Sequence, residues 1–131
     1  MPQRLEQLTW VGIDAPSLKR LQPHVVLLPA NTPVNLNTAA REVLAAAIPG
    51  LDLGSADRLV QARQRAPFKS MQDAEKQLSG ITLNAQQVGI SSSYFFLRGR
   101  LRLGTQTLEQ RSLVVRHSPT EVVPLTREWV N

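Results

Sequence analysis

Apolar positions along this chain change their period near residue 91. Upstream they recur at three- and four-residue steps, as on a helix; downstream they alternate, as on a strand. The upstream pattern is clearest in VNLNTAAREVLAAAIPGLDLGSADRLVQARQRAPFKSMQDAEKQL, from Val34 to Leu78. A first helix is expected over Ala39–Ile48, with Val43, Leu44, Ala47 and Ile48 as its apolar stripe. Asn37 or Thr38 is its expected N-cap, because a short polar side chain can accept a free amide of the first turn. Pro49-Gly50 ends it. Asp52 or Ser55 then caps a second helix running to about Arg65, which buries Ala56, Leu59, Val60 and the stem of Arg63. Pro67 stops that helix, since proline has no N–H to donate and disfavours helix in the residue before it. Ser70 and Asp73 make a capping-box-like start for a third helix, Met71–Leu78. Two antiparallel helices about a tight glycine turn, followed by a short third, describe a helix-hairpin-helix unit of the SAM-like kind.

The flanks complete the order. Arg4–Thr9 reads as a short helix or turn with Leu5 and Leu8 inward, and Ala15–Leu21 as a short helix with Pro16 in its first turn. Val25–Leu28 is a brief extended run before Pro29 and Pro33. Ile81 and Leu83 are expected to pack back on the helices, and Asn84–Val88 to form one helical turn. After the serine run at 91–93, Tyr94–Leu103 is the clearest strand. Phe95, Leu97, Leu101 and Leu103 take one face, and Phe96, Arg98, Arg100 and Arg102 the other. Gly99 falls on the apolar face, as at a bulge or beneath a close neighbour. Gly104-Thr105-Gln106 turns the chain into a return strand, Leu108–His117. A shorter third strand, Glu121–Leu125, has the proline of an edge at Pro124, and Trp129 is expected to lie over the sheet.

The expected fold class is α+β, helices first and then an antiparallel meander. Three regions follow: 1–33, a partial first helical repeat and linker; 34–90, the helix-hairpin-helix domain; and 91–131, the strands. The repeat is internal. GIDAPSLKRL from Gly12 aligns with GLDLGSADRL from Gly50, sharing Gly, Asp, Ser, Arg and Leu. Gly12 and Gly50 are placed for a backbone shape other residues resist, and Asp14 and Asp52 for capping the helix that follows.

Composition narrows the chemistry. The 131 residues contain no cysteine, which removes disulfide and thiol chemistry. The net charge of +5 raises nucleic-acid binding as an alternative. The excess is dispersed: residues 1–90 hold nine Lys/Arg against seven Asp/Glu, and residues 91–131 six against three. In nucleic-acid-binding hairpins a Gly-hydrophobic-Gly turn offers bare amides to a phosphate. Here the turns read Gly12-Ile13-Asp14 and Gly50-Leu51-Asp52. The aspartate consumes those amides and repels a phosphate, so no nucleic-acid partner is expected. His24 and His117 carry no partner motif, and no nucleophile elbow, phosphate loop or paired-histidine zinc motif occurs. Asp14, Asp52 and Asp57 do not make the clustered oxygen set of a calcium loop. No enzyme activity, metal or cofactor is expected.

The combination NLNTA, EVLAAAIPGL and PFKS resembles the helical domain of the type II secretion system minor pseudopilin K family. WVGID and LKRLQPHVVLLP upstream, and Ser92-Ser93-Tyr94-Phe95 with Leu103-Gly104 downstream, extend the resemblance over nearly the whole chain. It implies a non-enzymatic structural component of the pseudopilus tip, acting in pseudopilus assembly and protein export. It implies minor pseudopilins I and J as partners, a helical domain set in a pilin-type sheet, and the periplasmic face of the bacterial inner membrane. It also implies an anchoring helix that this stretch does not contain, so no membrane contact is expected of the stretch itself. With that helix missing, the face of Phe95, Leu97, Leu101 and Leu103 is expected to be covered by self-association, the alternative being a monomer in which Trp129 and the Ile81–Val88 connector fold over it.

Overall fold

The computed structural model describes residues 2–130. The chain divides into two compact units, one running to Thr32 and the other beginning at Pro33.

The first unit holds a short 3-10 helix, Leu5–Val11, and a helix α1, Ala15–Leu21. Gly12 lies between them at φ +97°, where a side chain would be strained. The Asp14 carboxylate accepts the Ser17 N–H at 2.8 Å and starts α1, and Leu18 is its buried side chain. Val25–Leu28 is irregular rather than strand.

The second unit begins with a two-residue strand β1, Val34–Asn35. Helices α2 (Arg41–Ala47), α3 (Leu53–Arg65) and α4 (Met71–Glu75) follow. A second short strand, β2 (Val88–Gly89), pairs parallel with β1. The Val34 N–H bonds to the Gln87 carbonyl at 2.9 Å, and the Leu36 N–H to the Gly89 carbonyl at 2.8 Å. The first and last turns of the helical part are thus stapled together. Between them lies one core of Leu36, Leu44, Ile48, Leu51, Ala56, Leu59, Phe68, Ala74, Leu78, Leu83 and Val88. Burying such side chains is worth roughly 1.5–3 kcal/mol each, and this sets the helix faces.

Several details differ from the sequence reading. α2 starts two residues late and its N-cap is Ala40, with no side-chain bond, so neither Asn37 nor Thr38 caps it. Both lie in the turn before α2, where Thr38 and Ala39 donate their N–H groups to the Asn35 carbonyl. Val43 points to solvent, because the buried stripe runs through Leu44 and Ile48. α4 ends at Glu75 and finishes in tighter turns to Leu78. The β1–β2 pair was not anticipated, since two residues are too few to show a period.

A three-stranded antiparallel sheet of order β3-β4-β5 closes the unit: β3 Tyr94–Leu103, β4 Gln106–Ser118 and β5 Glu121–Val130. Gly104, at φ +61°, occupies the first place of the two-residue turn, the position glycine takes in a type II′ hairpin. β5 is twice as long as expected. Pro124 does not end it; the ladder slips there by one residue, from Leu113↔Thr126 to Val114↔Pro124, and then continues. Trp129 therefore sits within β5 opposite Gln110 and does not lie over the sheet. Gly99 marks no bulge, and the space a side chain would take there is open.

Candidate functional site

The NLNTA segment is held by side chains reading backbone. Asn35 Oδ1 accepts the Asn37 N–H at 2.9 Å, making a side-chain turn, and Asn35 Nδ2 donates to Ser92 Oγ at 2.8 Å. Asn37 Oδ1 accepts the Phe68 N–H at 2.8 Å, while its Nδ2 donates to the carbonyls of Phe68 at 3.0 Å and Ile90 at 3.2 Å. One carboxamide thus ties the entry to α2, the exit from α3 and the end of the helical part. Arg63, on α3, donates Nη1 to the carbonyls of Leu36 at 3.0 Å and Ala39 at 2.6 Å. Those carbonyls lie in the irregular turn, where no helix or sheet supplies a donor. Sequence reasoning missed both roles; the signal for Arg63 is an arginine on the inward side of an otherwise apolar helix face.

The two turn motifs are alike in detail. Gly50 takes φ +80°, as Gly12 takes +97°. Asp52 Oδ1 accepts the Ser55 N–H at 2.6 Å, as Asp14 accepts that of Ser17. The serine N–H and then its hydroxyl hold each aspartate carboxyl below its ordinary value. Ser70 Oγ accepts the Asp73 N–H at 3.2 Å, and Asp73 reaches back to the N–H of Lys69 rather than to that of Ser70. After Gly12 and after Gly50, one first-turn amide, that of Ser17 or Ser55, thus carries a carboxylate, whose charge would repel a phosphate there. Among the described residues, no group of three or more His, Asp or Glu side chains could hold a metal ion.

The sheet is largely open. Only Leu113, Val114 and Val115, on the central strand, are buried. The ladder places Phe95, Leu97, Leu101 and Leu103 on one side with Leu108 and Trp129. Leu101 is 68% exposed and Leu103 80%, so this apolar side meets solvent. On the other side Glu109 pairs with Arg98 and lies 3.7 Å from Arg100, and the Arg111 guanidinium lies 4.0 Å over the Phe96 ring. No helix among the described residues is long and apolar enough to cross a membrane.

Residues 34–92 match the family model described as type II secretion system protein K. Val34 of the β1–β2 pair and Ser92, the partner of Asn35, lie at those limits. The chain is also 32% identical over 102 residues to the type II secretion system protein K of Pseudomonas aeruginosa. That alignment covers 76% of this chain and 30% of the relative, so the chain spans about a third of the relative's length. The chain belongs to the type II secretion system protein K family.

Proposed function

We propose that this chain is the part of a minor pseudopilin K that contacts its assembly partners at the pseudopilus tip. Its role is structural and non-enzymatic, on the periplasmic face of the inner membrane, and its partners are minor pseudopilins I and J. The helical part is a helix-hairpin-helix, SAM-like module and the sheet is of pilin type. The observation that carries the reading is the agreement between the family match, 34–92, and the domain closed by β1–β2, Asn35 and Asn37. The exposed apolar side of the sheet supports an assembly role, since monomeric proteins rarely leave a large contiguous apolar patch wet. Self-association through that side belongs to the same proposal.

The experiment exchanges residues 34–92 for the matching segment of the full-length P. aeruginosa relative, in a strain lacking its own copy. Restored export, with co-purification of pseudopilins I and J, is the expected result. A stably produced hybrid that restores neither overturns the proposal.

A further inference from the structure

We infer that the free edge of β3 accepts an extended segment of a partner protein in which acidic and apolar residues alternate. β3 is an outer strand of the sheet, and its register with β4 runs without a slip from Tyr94 to Leu103. The Arg116 N–H bonds to the Ser93 carbonyl at 2.7 Å, so those two residues form a hydrogen-bonded pair. Such pairs alternate along an antiparallel ladder. On β3 the bonded positions are therefore the odd ones, ending at Leu103, whose partner Gln106 closes the hairpin. Tyr94, Phe96, Arg98, Arg100 and Arg102 turn their N–H and C=O groups to the open side. Among the described residues, no other backbone hydrogen bond reaches them.

The other edge is a poorer template. Pro124 lacks an N–H, and β4–β5 slips at Leu113/Val114 and again at Arg116/Ser118. β3 has neither a proline nor a slip. Its only guard is charge, and that charge selects the partner. Arg98 and Arg100 have side chains 65% and 68% exposed, and both lean on one carboxylate, Glu109, which β4 places directly opposite Arg100. An incoming strand faces the same row from the other side. Glutamate or aspartate at every second residue puts carboxylates across from Arg98, Arg100 and Arg102, as Glu109 already does. The residues between them fall on the side of Leu97, Leu101 and Leu103, where apolar side chains cover apolar surface. A second copy of β3 is disfavoured, because antiparallel pairing about Gly99 sets arginine against arginine.

The test uses the 131-residue chain and a fluorescein-labelled peptide of ~9 residues, alternating Glu and Val, long enough to run along the strand. A Lys/Val peptide is the control. Binding is read by anisotropy at two salt concentrations, and the contact by amide hydrogen exchange. The Glu/Val peptide is expected to bind, more weakly at high salt, and to slow exchange at Phe96, Arg98, Arg100 and Arg102. Arg98→Glu with Arg100→Glu is expected to weaken binding at least about tenfold. Arg100→Pro removes an outward N–H while sparing the β4 ladder, and is expected to weaken binding more than Arg100→Ala does. Absent binding, equal binding of the Lys/Val peptide, or binding that leaves those amides unprotected overturns the inference. So does protection of the same amides in the free chain, which would assign the edge to a second copy if the chain sediments as a dimer.

Discussion

The Asn37 carboxamide and the Phe68 backbone form a closed two-way pair, with Oδ1 accepting the Phe68 N–H at 2.8 Å and Nδ2 donating to its carbonyl at 3.0 Å. The side chain thereby does for Phe68 what a neighbouring strand would do, at a sharp bend where no strand can run. Its second Nδ2 bond, to the Ile90 carbonyl, links that bend to the end of the domain.

Asn37→Ala is expected to cost about 2–4 kcal/mol, from three lost hydrogen bonds and a part-buried amide left without a partner. Asn37→Asp keeps the acceptor for Phe68 but sets a carboxylate against two carbonyl oxygens, so it should be no better than alanine. Chemical denaturation of the three proteins checks the order. A fully stable Asn37→Ala variant would remove the clamp from the account.

Arg63→Ala is expected to cost about 1.5–3 kcal/mol, since the Leu36 and Ala39 carbonyls lose a charged donor. Arg63→Lys should recover only part, because an ammonium lacks the planar fork of the guanidinium. A lysine variant as stable as the parent would show that charge alone suffices.

Gly50→Ala is expected to destabilise by about 1–2 kcal/mol, the cost of a side chain in left-handed backbone. Gly99→Ala is expected to be neutral or slightly stabilising, because that strand position has ordinary backbone and open space. Paired melting curves decide, and equal effects would contradict the assigned turn.

Asp52→Ala is expected to lower the melting temperature by a few degrees at neutral pH. The Ser55 N–H and hydroxyl hold the folded-state carboxyl below the ordinary aspartate value of 3.8. Its stabilising effect is therefore complete above that value and is lost as pH falls below it, through the lowered folded-state value. The gap between parent and variant should shrink over that acid range; a constant gap would assign the effect to packing. With Asp14 and Asp52 on the turn amides, binding to duplex DNA at physiological salt should be no tighter than about 1 μM. Tighter binding in a fluorescence titration would restore a nucleic-acid role.

Leu101→Asp is expected to change stability by no more than about 0.5 kcal/mol, because the side chain is already largely in solvent. The same variant should abolish self-association in sedimentation at micromolar concentration. A parent chain that sediments as a strict monomer would refute self-association.

What was legible in the sequence was local. The change of period near residue 91 marks where helices give way to strands, because side-chain direction follows backbone geometry. Gly50 with Asp52, Pro67 and Ser70 mark helix ends, because each acts on amides within a few residues of itself. Glycine and aspartate thirty-eight residues apart gave the repeat for the same reason. Tertiary structure alone decided where Asn37 points. Its carboxamide could serve α2 or the bend at Phe68, thirty-one residues away, and the bend holds it because Phe68 has no other donor or acceptor nearby. The β1–β2 pair and the continuation of β5 past Pro124 are of that kind. Both rest on hydrogen bonds between segments brought together by the buried core or the neighbouring strand, and such pairing leaves no period in either segment alone.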